Sequence, residues 1–408
     1  MTPPAGLGRT LRGAKDMGKI TLTGKGRRWV QNGHPWVYHD DVADGEGDAG
    51  ELLPVEDPTG KVVGWGLHSD KSRIRVRLVT RTTEQPNRAF WVERFGRAIQ
   101  LREDHGMMDP EGACRLVSGD ADGLPGLVVD RYGKTLVLQC SSQGADRMRD
   151  FLVECLEEAL PYEVECIVDR SDVSVRKLEG LQPRVEVLKG EPASPIVLTD
   201  DGLEYTVDVL GGHKTGAYLD QSQNRKDAAR WAKGRKVLDA FAYDGLFGIR
   251  AALAGASEVL FLEQNKAAIE RIQDHAERNG VADKVTIERT NCMQAMRDLA
   301  DAERKFGLII VDPPAFARNR REAAGAERGY VELNKRAMIM ADPGGVVVSA
   351  SCSYNVRPEE FIDFLRKSAN LAERQTVMMN LASASPDHPQ LLALPESRYL
   401  KCAFLRVF

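Results

Sequence analysis

The sequence predicts an α/β protein whose C-terminal half holds a mainly parallel sheet, preceded by a small β-barrel domain and an α+β segment. Three observations predict it. The first ~80 residues read as short alternating strands, the next ~110 mix helix and strand, and after Tyr205 strand and helix alternate. Strands separated by helices imply a parallel sheet covered on both faces.

The elements follow in order. SRIRVRLVT alternates apolar and basic residues as a half-buried strand does, and EDPTGK is a turn, so the β domain is placed at 1–82. AFWVERFGRAIQLRED carries apolar residues at helical spacing; GLPGLVVDRYGKTLVLQC is a glycine-punctuated hairpin, MRDFLVECLEEAL a helix and VECIVDRSD a strand. These make an α+β domain at 83–197. In 198–408, RKVLDAFAY, EVLFLEQN, KVTIERT, FGLIIVDPP and VVVSASCSY are strands. LFGIRAALAGA, KAAIERIQDHAERNG, MQAMRDLADAERK, ELNKRAMIMADPGG and PEEFIDFLRKSANLA are helices. RYLKCAFLRVF closes the chain as a further strand, read as antiparallel at the edge.

A chain of 408 residues with 42% hydrophobic and 28% charged content describes a soluble multidomain protein. No apolar run reaches the ~18 residues of a membrane span, and the N-terminus lacks the apolar core of a signal peptide. Seven scattered cysteines without a C-x-x-C pair argue against disulfides or structural zinc, and the scattered histidines suggest no metal site. A cytoplasmic protein is expected. The net charge of −4 is unevenly spread. Arg9, Arg12, Lys15, Lys19, Lys25, Arg27 and Arg28 precede Asp40 against one acid, Asp16. Lys71, Arg73, Arg75 and Arg77 form a second cluster, and Arg318, Arg320, Arg321 and Arg328 a third. Such clusters are candidate phosphate footprints; the plain alternative is solvated surface.

In doubly covered sheets, ligands bind beyond the carboxyl ends of the strands. Those ends carry Asp239, Glu263, Asn291, Asp312 and Cys352. FAYDGLFG lacks the G-x-G-x-x-G spacing of a dinucleotide turn, which disfavours an NAD oxidoreductase. Glu263 lies 24 residues after Asp239, an interval suited to an acid that accepts from a ribose diol. Ribose recognition without a pyrophosphate turn suits an adenosyl ligand. In DPPAF, two prolines stiffen the turn behind Asp312 and place Phe316 as a stacking face for a planar base.

The series VLDAFAYDGLFG, LEQN, VDPPAFA, ERGYVELN and SCSY resembles the class I S-adenosylmethionine-dependent methyltransferases of bacterial large-subunit ribosomal RNA. The likeness is greatest to the methyltransferase I group that forms 5-methylcytosine. GHPWVYHDDV and GWGLHSDKSRIRVRLVT resemble that family's N-terminal PUA domain, an RNA-binding β-barrel. RLVSGDADGLPGLVVDRYG resembles its central domain, and HKTGAYLDQSQNR its lead-in to a Rossmann-like catalytic domain. The resemblance covers nearly the whole chain. It implies S-adenosyl-L-methionine as cofactor, large-subunit ribosomal RNA as partner with the target base unpaired or flipped, no membrane, and leaves a homodimer open.

Residue by residue, the resemblance implies Cys352 as nucleophile and Asp312 as the group that orients the base. Asp239 and Gly245 would border the methionine end of the cofactor and Glu263 would hold its ribose. Asn291 stands where relatives carry an acid facing the adenine, and Gln221, Phe241, Tyr243, Asp312 and Pro313 complete the pocket. Asp244 replaces the usual threonine and Ser222 an arginine. Read from their position alone, His213 and Lys214 belong either to the site mouth or to a plain loop. Carbon 5 of cytosine needs a thiolate on carbon 6 to become nucleophilic, so the pocket is expected to favour the anion of Cys352, with another base or water taking the carbon 5 proton. A small core cysteine closing a strand is the plain alternative for Cys352. Two other functions stay open: an RNA amino-group methyltransferase, which needs no thiol, and a non-catalytic RNA-binding factor assisting ribosome assembly.

Overall fold

The computed structural model describes residues 18–212, 214–316 and 323–408. Arg9, Arg12, Lys15, His213, Arg318, Arg320 and Arg321 lie outside the described residues. By internal contacts the chain forms two compact units. The first comprises the chain through Asp104, Leu116–Pro192 and Leu391–Leu394; the second comprises His105–Arg115, Ala193–Gln390 and Pro395–Phe408.

The first unit contains a six-stranded sheet in the order Trp36–Tyr38, Ile74–Thr80, Val62–His68, Leu52–Glu56, Lys19–Leu22, Val42–Glu46. Its core is Ile20, Leu22, Val30, Val37, Leu53, Val55, Val76 and Leu78. The segment Gly24–Gln31, read from sequence as turn and strand, is instead a helix. The Thr23 side chain caps it by accepting from the Gly26 amide at 3.0 Å. Two glycines and only one buried apolar side chain, Val30, hid its periodicity. The same unit holds the expected helices, now Arg88–Asp104 and Arg149–Ala159. It also holds the neighbouring strands Arg184–Lys189, Cys166–Ser171, Thr135–Cys140 and Leu127–Tyr132.

The second unit carries a seven-stranded sheet. Its strands in chain order are β1 Lys236–Ala240, β2 Glu258–Glu263, β3 Val285–Arg289, β4 Phe306–Val311, β5 Ala341–Ser351, β6 Thr376–Ala382 and β7 Lys401–Val407. The spatial order is 3-2-1-4-5-7-6. β1 to β5 pair in parallel, and β7 is antiparallel to both β5 and β6. The interleaved helices are α1 Ser222–Ala229, α2 Leu246–Leu253, α3 Lys266–Arg278, α4 Cys292–Asp301, α5 Ala323–Met340 and α6 Pro358–Leu371. β4 is fully buried along FGLIIV, as a central parallel strand must be.

Two sequence expectations are corrected here. The closing strand is antiparallel but not at the edge, because the unforeseen β6 lies outside it. The helix read through ADPGG stops at Met340, and Ala341–Gly345 begins β5. Asp-Pro-Gly-Gly cannot continue a helix, since proline lacks the donor and glycine is too free. The switch in strand order falls between β1 and β4, whose carboxyl ends therefore open a crevice.

Candidate active site

A cavity of about 670 Å³ lies at that crevice. Its wall includes Gln221, Phe241, Tyr243, Glu263, Asn291, Asp312, Pro313 and Cys352, together with Lys214, Tyr218, Asp220, Asp244 and Tyr399.

The β1–α2 loop is the most constrained part of the wall. Phe241 and Tyr243 hold φ of +63° and +53°, and Gly245 has +72°. Side chains in the left-handed region cost of order 1–3 kcal/mol each, so neighbouring contacts must hold them there. The holding contacts are visible. Glu263 at the end of β2 accepts from the amides of Tyr243 (2.9 Å), Gln264 (2.8 Å) and Asn265 (2.8 Å). Buried His275 donates from Nδ1 to the Asp244 carbonyl at 2.9 Å, while its Nε2 accepts from the Thr206 amide at 3.0 Å. His275 carried no sequence signal beyond its place on an amphipathic helix.

Asp239 and Gly245 do not line the cavity. Asp239 is buried and accepts from the Gly248 amide at 2.8 Å. Burial, with the charges of Asp312 and Asp244, pushes its carboxyl well above the ordinary range. It shapes the loop from behind because its side chain points along the sheet toward α2. Phe316 is also displaced from its expected place. It packs edge-on against Tyr330, with ring centroids 4.9 Å apart, and is not part of the cavity wall. Asn291 is on the wall, yet its oxygen caps α4 by accepting from the Gln294 amide at 3.1 Å. Ser222 pairs with the Ser385 hydroxyl at 2.8 Å.

At the other end of the cavity Asp312 follows β4, fixed by Gln221, whose Nε2 donates to Oδ2 at 3.0 Å. Burial and the charge on Asp220 push Asp312 up to about 6, against the hydrogen bond from Gln221. Asp220, buried on the wall, accepts at Oδ2 from the Tyr399 hydroxyl (2.8 Å) and Lys214 Nζ (3.4 Å). These partners and His388 overcome burial and hold Asp220 well below the usual carboxylate range. Its Oδ1 is buried with no hydrogen-bond partner among the described residues. Lys214 Nζ also sits 4.0 Å from the centroid of the Tyr218 ring, which makes a T-shaped contact with Tyr243. Tyr218, Asp220 and Tyr399 were missed in the sequence; only folding brings their segments to the sheet edge.

Cys352 lies one residue past β5 and is half-buried on the wall, whereas the other six cysteines are buried. Cys292, which also borders the cavity, donates its thiol to the Leu262 carbonyl at 3.2 Å. The expectation that the pocket by itself favours the Cys352 anion is corrected. Burial and the negative charge of Asp312 push the thiol up, opposed by Lys214.

An acid-lined cavity with an orphaned buried acceptor fits a ligand bearing cationic and N–H groups. S-adenosylmethionine, with its sulfonium and ammonium, is such a ligand, and Glu263 and Asp244 put carboxylates on the cavity wall. Residues 176–391 match the family model of S-adenosylmethionine-dependent methyltransferases, and residues 20–81 match a PUA-like domain. The ribosomal RNA large subunit methyltransferase I of Erwinia tasmaniensis is 38% identical over 92% of this chain and 95% of its own. That of Shewanella denitrificans is 37% identical over 96% and 99%. The chain belongs to this methyltransferase family.

Solved structures agree on the fold of this methyltransferase. A methyltransferase crystallised with SAH superposes with a TM-score of 0.83 at 19% identity, covering 95% of this chain and 100% of that one. A SAM-dependent methyltransferase from Streptococcus mutans gives 0.81 at 18% identity, with the same coverage. The methyltransferase uses S-adenosylmethionine. Among its described residues there is no group of three metal-binding side chains and no helix long and apolar enough to cross a membrane.

Proposed function

We propose that this methyltransferase modifies carbon 5 of a cytidine in large-subunit ribosomal RNA through a covalent bond from Cys352 to carbon 6 of the base. The observation that carries the reading is the placement of Cys352. It is the one cysteine of the seven that is not buried, and it shares a cavity wall with Asp312. The names of the relatives, which act on large-subunit ribosomal RNA, supply the substrate class.

S-adenosylmethionine, when bound, supplies an electrophilic methyl group; the residues make carbon 5 able to take it. The Cys352 thiolate adds to carbon 6, and the electrons of the 5,6 double bond move to carbon 5. Asp312, which burial keeps partly protonated near neutral pH, donates its proton to the ring nitrogen and stabilises the resulting enamine. After methylation another base or water takes the carbon 5 proton, its electrons re-form the 5,6 double bond as the sulfur is expelled, and the ring nitrogen returns its proton to Asp312. Splitting one difficult substitution in this way is the gain of covalent catalysis. Because a paired base cannot reach such a cavity, the target is unpaired or flipped. Gln221, Phe241, Tyr243, Glu263 and Pro313 hold the cofactor, and Asn291 borders its adenine. Asp239 and Gly245 act by shaping the loop.

With Phe316 turned onto Tyr330, the stacking face read for a planar base is lost to this reading and to the amino-group alternative alike, and the need for the Cys352 thiol is what separates them. The test is Cys352→Ser. Methyl transfer from labelled cofactor to ribosomal RNA should vanish while cofactor and RNA binding persist. Undiminished labelling would eliminate the covalent route, and absence of cofactor binding to the wild type would favour an assembly factor.

A further inference from the structure

Lys401 is a buried lysine, 2% exposed, at the start of β7. The β5–β7 register sets it opposite Ser351, one residue before the proposed nucleophile. Its Nζ donates to the carbonyl of Ser353 (2.7 Å), one residue after Cys352, and to the carbonyl of Tyr399 (2.9 Å). No carboxylate lies within 4 Å of it among the described residues. A buried ammonium satisfied only by neutral carbonyls retains an uncompensated charge, and one of its three donors is still unused. Two groups able to carry a negative charge act on it, Cys352 and Glu360 of α6, and Cys352 is the one whose backbone neighbour it grips.

We propose that Lys401 is the cation that balances the Cys352 thiolate, a positioning and charge-setting residue behind the cavity wall. This rests on the reading of Cys352 as nucleophile only for its purpose, not for the pairing itself. When the lysine is neutral, ionisation moves the thiol proton onto Nζ. When it is already an ammonium, the proton goes to solvent. Either route ends with a thiolate facing an ammonium.

The surrounding charges make such a partner necessary. Asp312 after β4 and Asp220 from the segment before α1 both oppose the thiolate, Tyr218 and Tyr330 offer only neutral hydroxyls, and Lys214 assists from the cavity side. Around Lys401 the other charge acting among the described residues is Glu360 of α6. Burial pushes Lys401 down to about 8, against the charges of Cys352 and Glu360, while burial and Asp312 push Cys352 up.

The test is the pH dependence of iodoacetamide alkylation of Cys352 in the full chain, read by mass spectrometry of its peptide without cofactor or RNA. Lys401→Met should move the inflection up by about one pH unit, slowing alkylation at neutral pH about tenfold. Lys401→Arg, which keeps a cation, should restore the wild-type profile. A Lys401→Met profile superimposed on wild type would overturn the proposal. A measurement that leaves the lysine in place guards against misfolding of the variant: the NMR titration of Lys401 should fall in Cys352→Ser, and an unchanged titration would equally overturn it. Methyl transfer by Cys352→Ser would instead sink the covalent reading and leave the pairing intact.

Discussion

Asp312 and Cys352 both lose a proton as pH rises, yet the proposed chemistry needs the first protonated and the second ionised. With Asp312 near 6 and the thiol higher, the active pair is scarce everywhere. Below pH 6 Asp312 stays protonated, so kcat/KM should rise about tenfold per pH unit with the thiolate fraction. Above 6 each gain in thiolate is matched by a loss of acid, and the profile should flatten. Asp312→Asn should lower kcat and remove the inflection near 6; a wild-type profile without that inflection would separate Asp312 from proton donation.

At the scale of elements, the β1–α2 loop is the part most sensitive to small changes. A Cβ on Gly245 would meet Ile272 Cγ1 at 2.9 Å, and the φ of +72° disfavours any L side chain. Gly245→Ala should therefore cost about 1–3 kcal/mol in urea denaturation. Because the same loop presents Tyr243, calorimetry should show cofactor affinity falling about tenfold, an extra 1.4 kcal/mol. Unchanged affinity in a destabilised variant would mean that the loop conformation is not what the cofactor reads. Much of this region was legible in sequence. The apolar strands, Glu263 at its interval from Asp239, and the stiff Asp-Pro-Pro turn are local patterns. The direction in which Asp239 and Phe316 point was not, because it depends on which neighbour each finds after the sheet forms.

In the molecule as a whole, charge is paired inside the fold more than the sequence suggested. Arg77, in the second basic cluster, is buried and bonds Glu179 at 2.8 Å, where Ser69 (2.5 Å) and the Gln143 amide (3.2 Å) also donate. Burial works to raise Glu179, but Arg77 and the hydroxyls of Ser69 and Ser72 hold it below the ordinary glutamate value. Its stabilising effect is therefore present above about pH 4.3 and lost as pH falls through its lower folded value. Glu179→Ala should cost about 3–5 kcal/mol by thermal or urea unfolding, since Arg77 would remain buried and unpaired. Lys19, Lys25 and Arg27 likewise face Glu56, Asp41 and Asp57. Arg28 and Arg73 are exposed and make no ion pair among the described residues. If they meet RNA phosphates, each replacement by alanine should reduce the salt slope of RNA binding by about 1, measured by filter binding. An unchanged slope would move the RNA footprint elsewhere.

The sequence by itself determined the strand–helix alternation, the acids at the strand ends and the cysteine beyond β5, since each follows from spacing along one stretch of chain. Tertiary structure alone decided that the closing strand lies inside the sheet, that Asp220 and Tyr399 meet at the cavity, and that Lys401 bonds the carbonyl one residue beyond Cys352. Strand register between segments far apart in the chain sets those meetings, and no local periodicity encodes it.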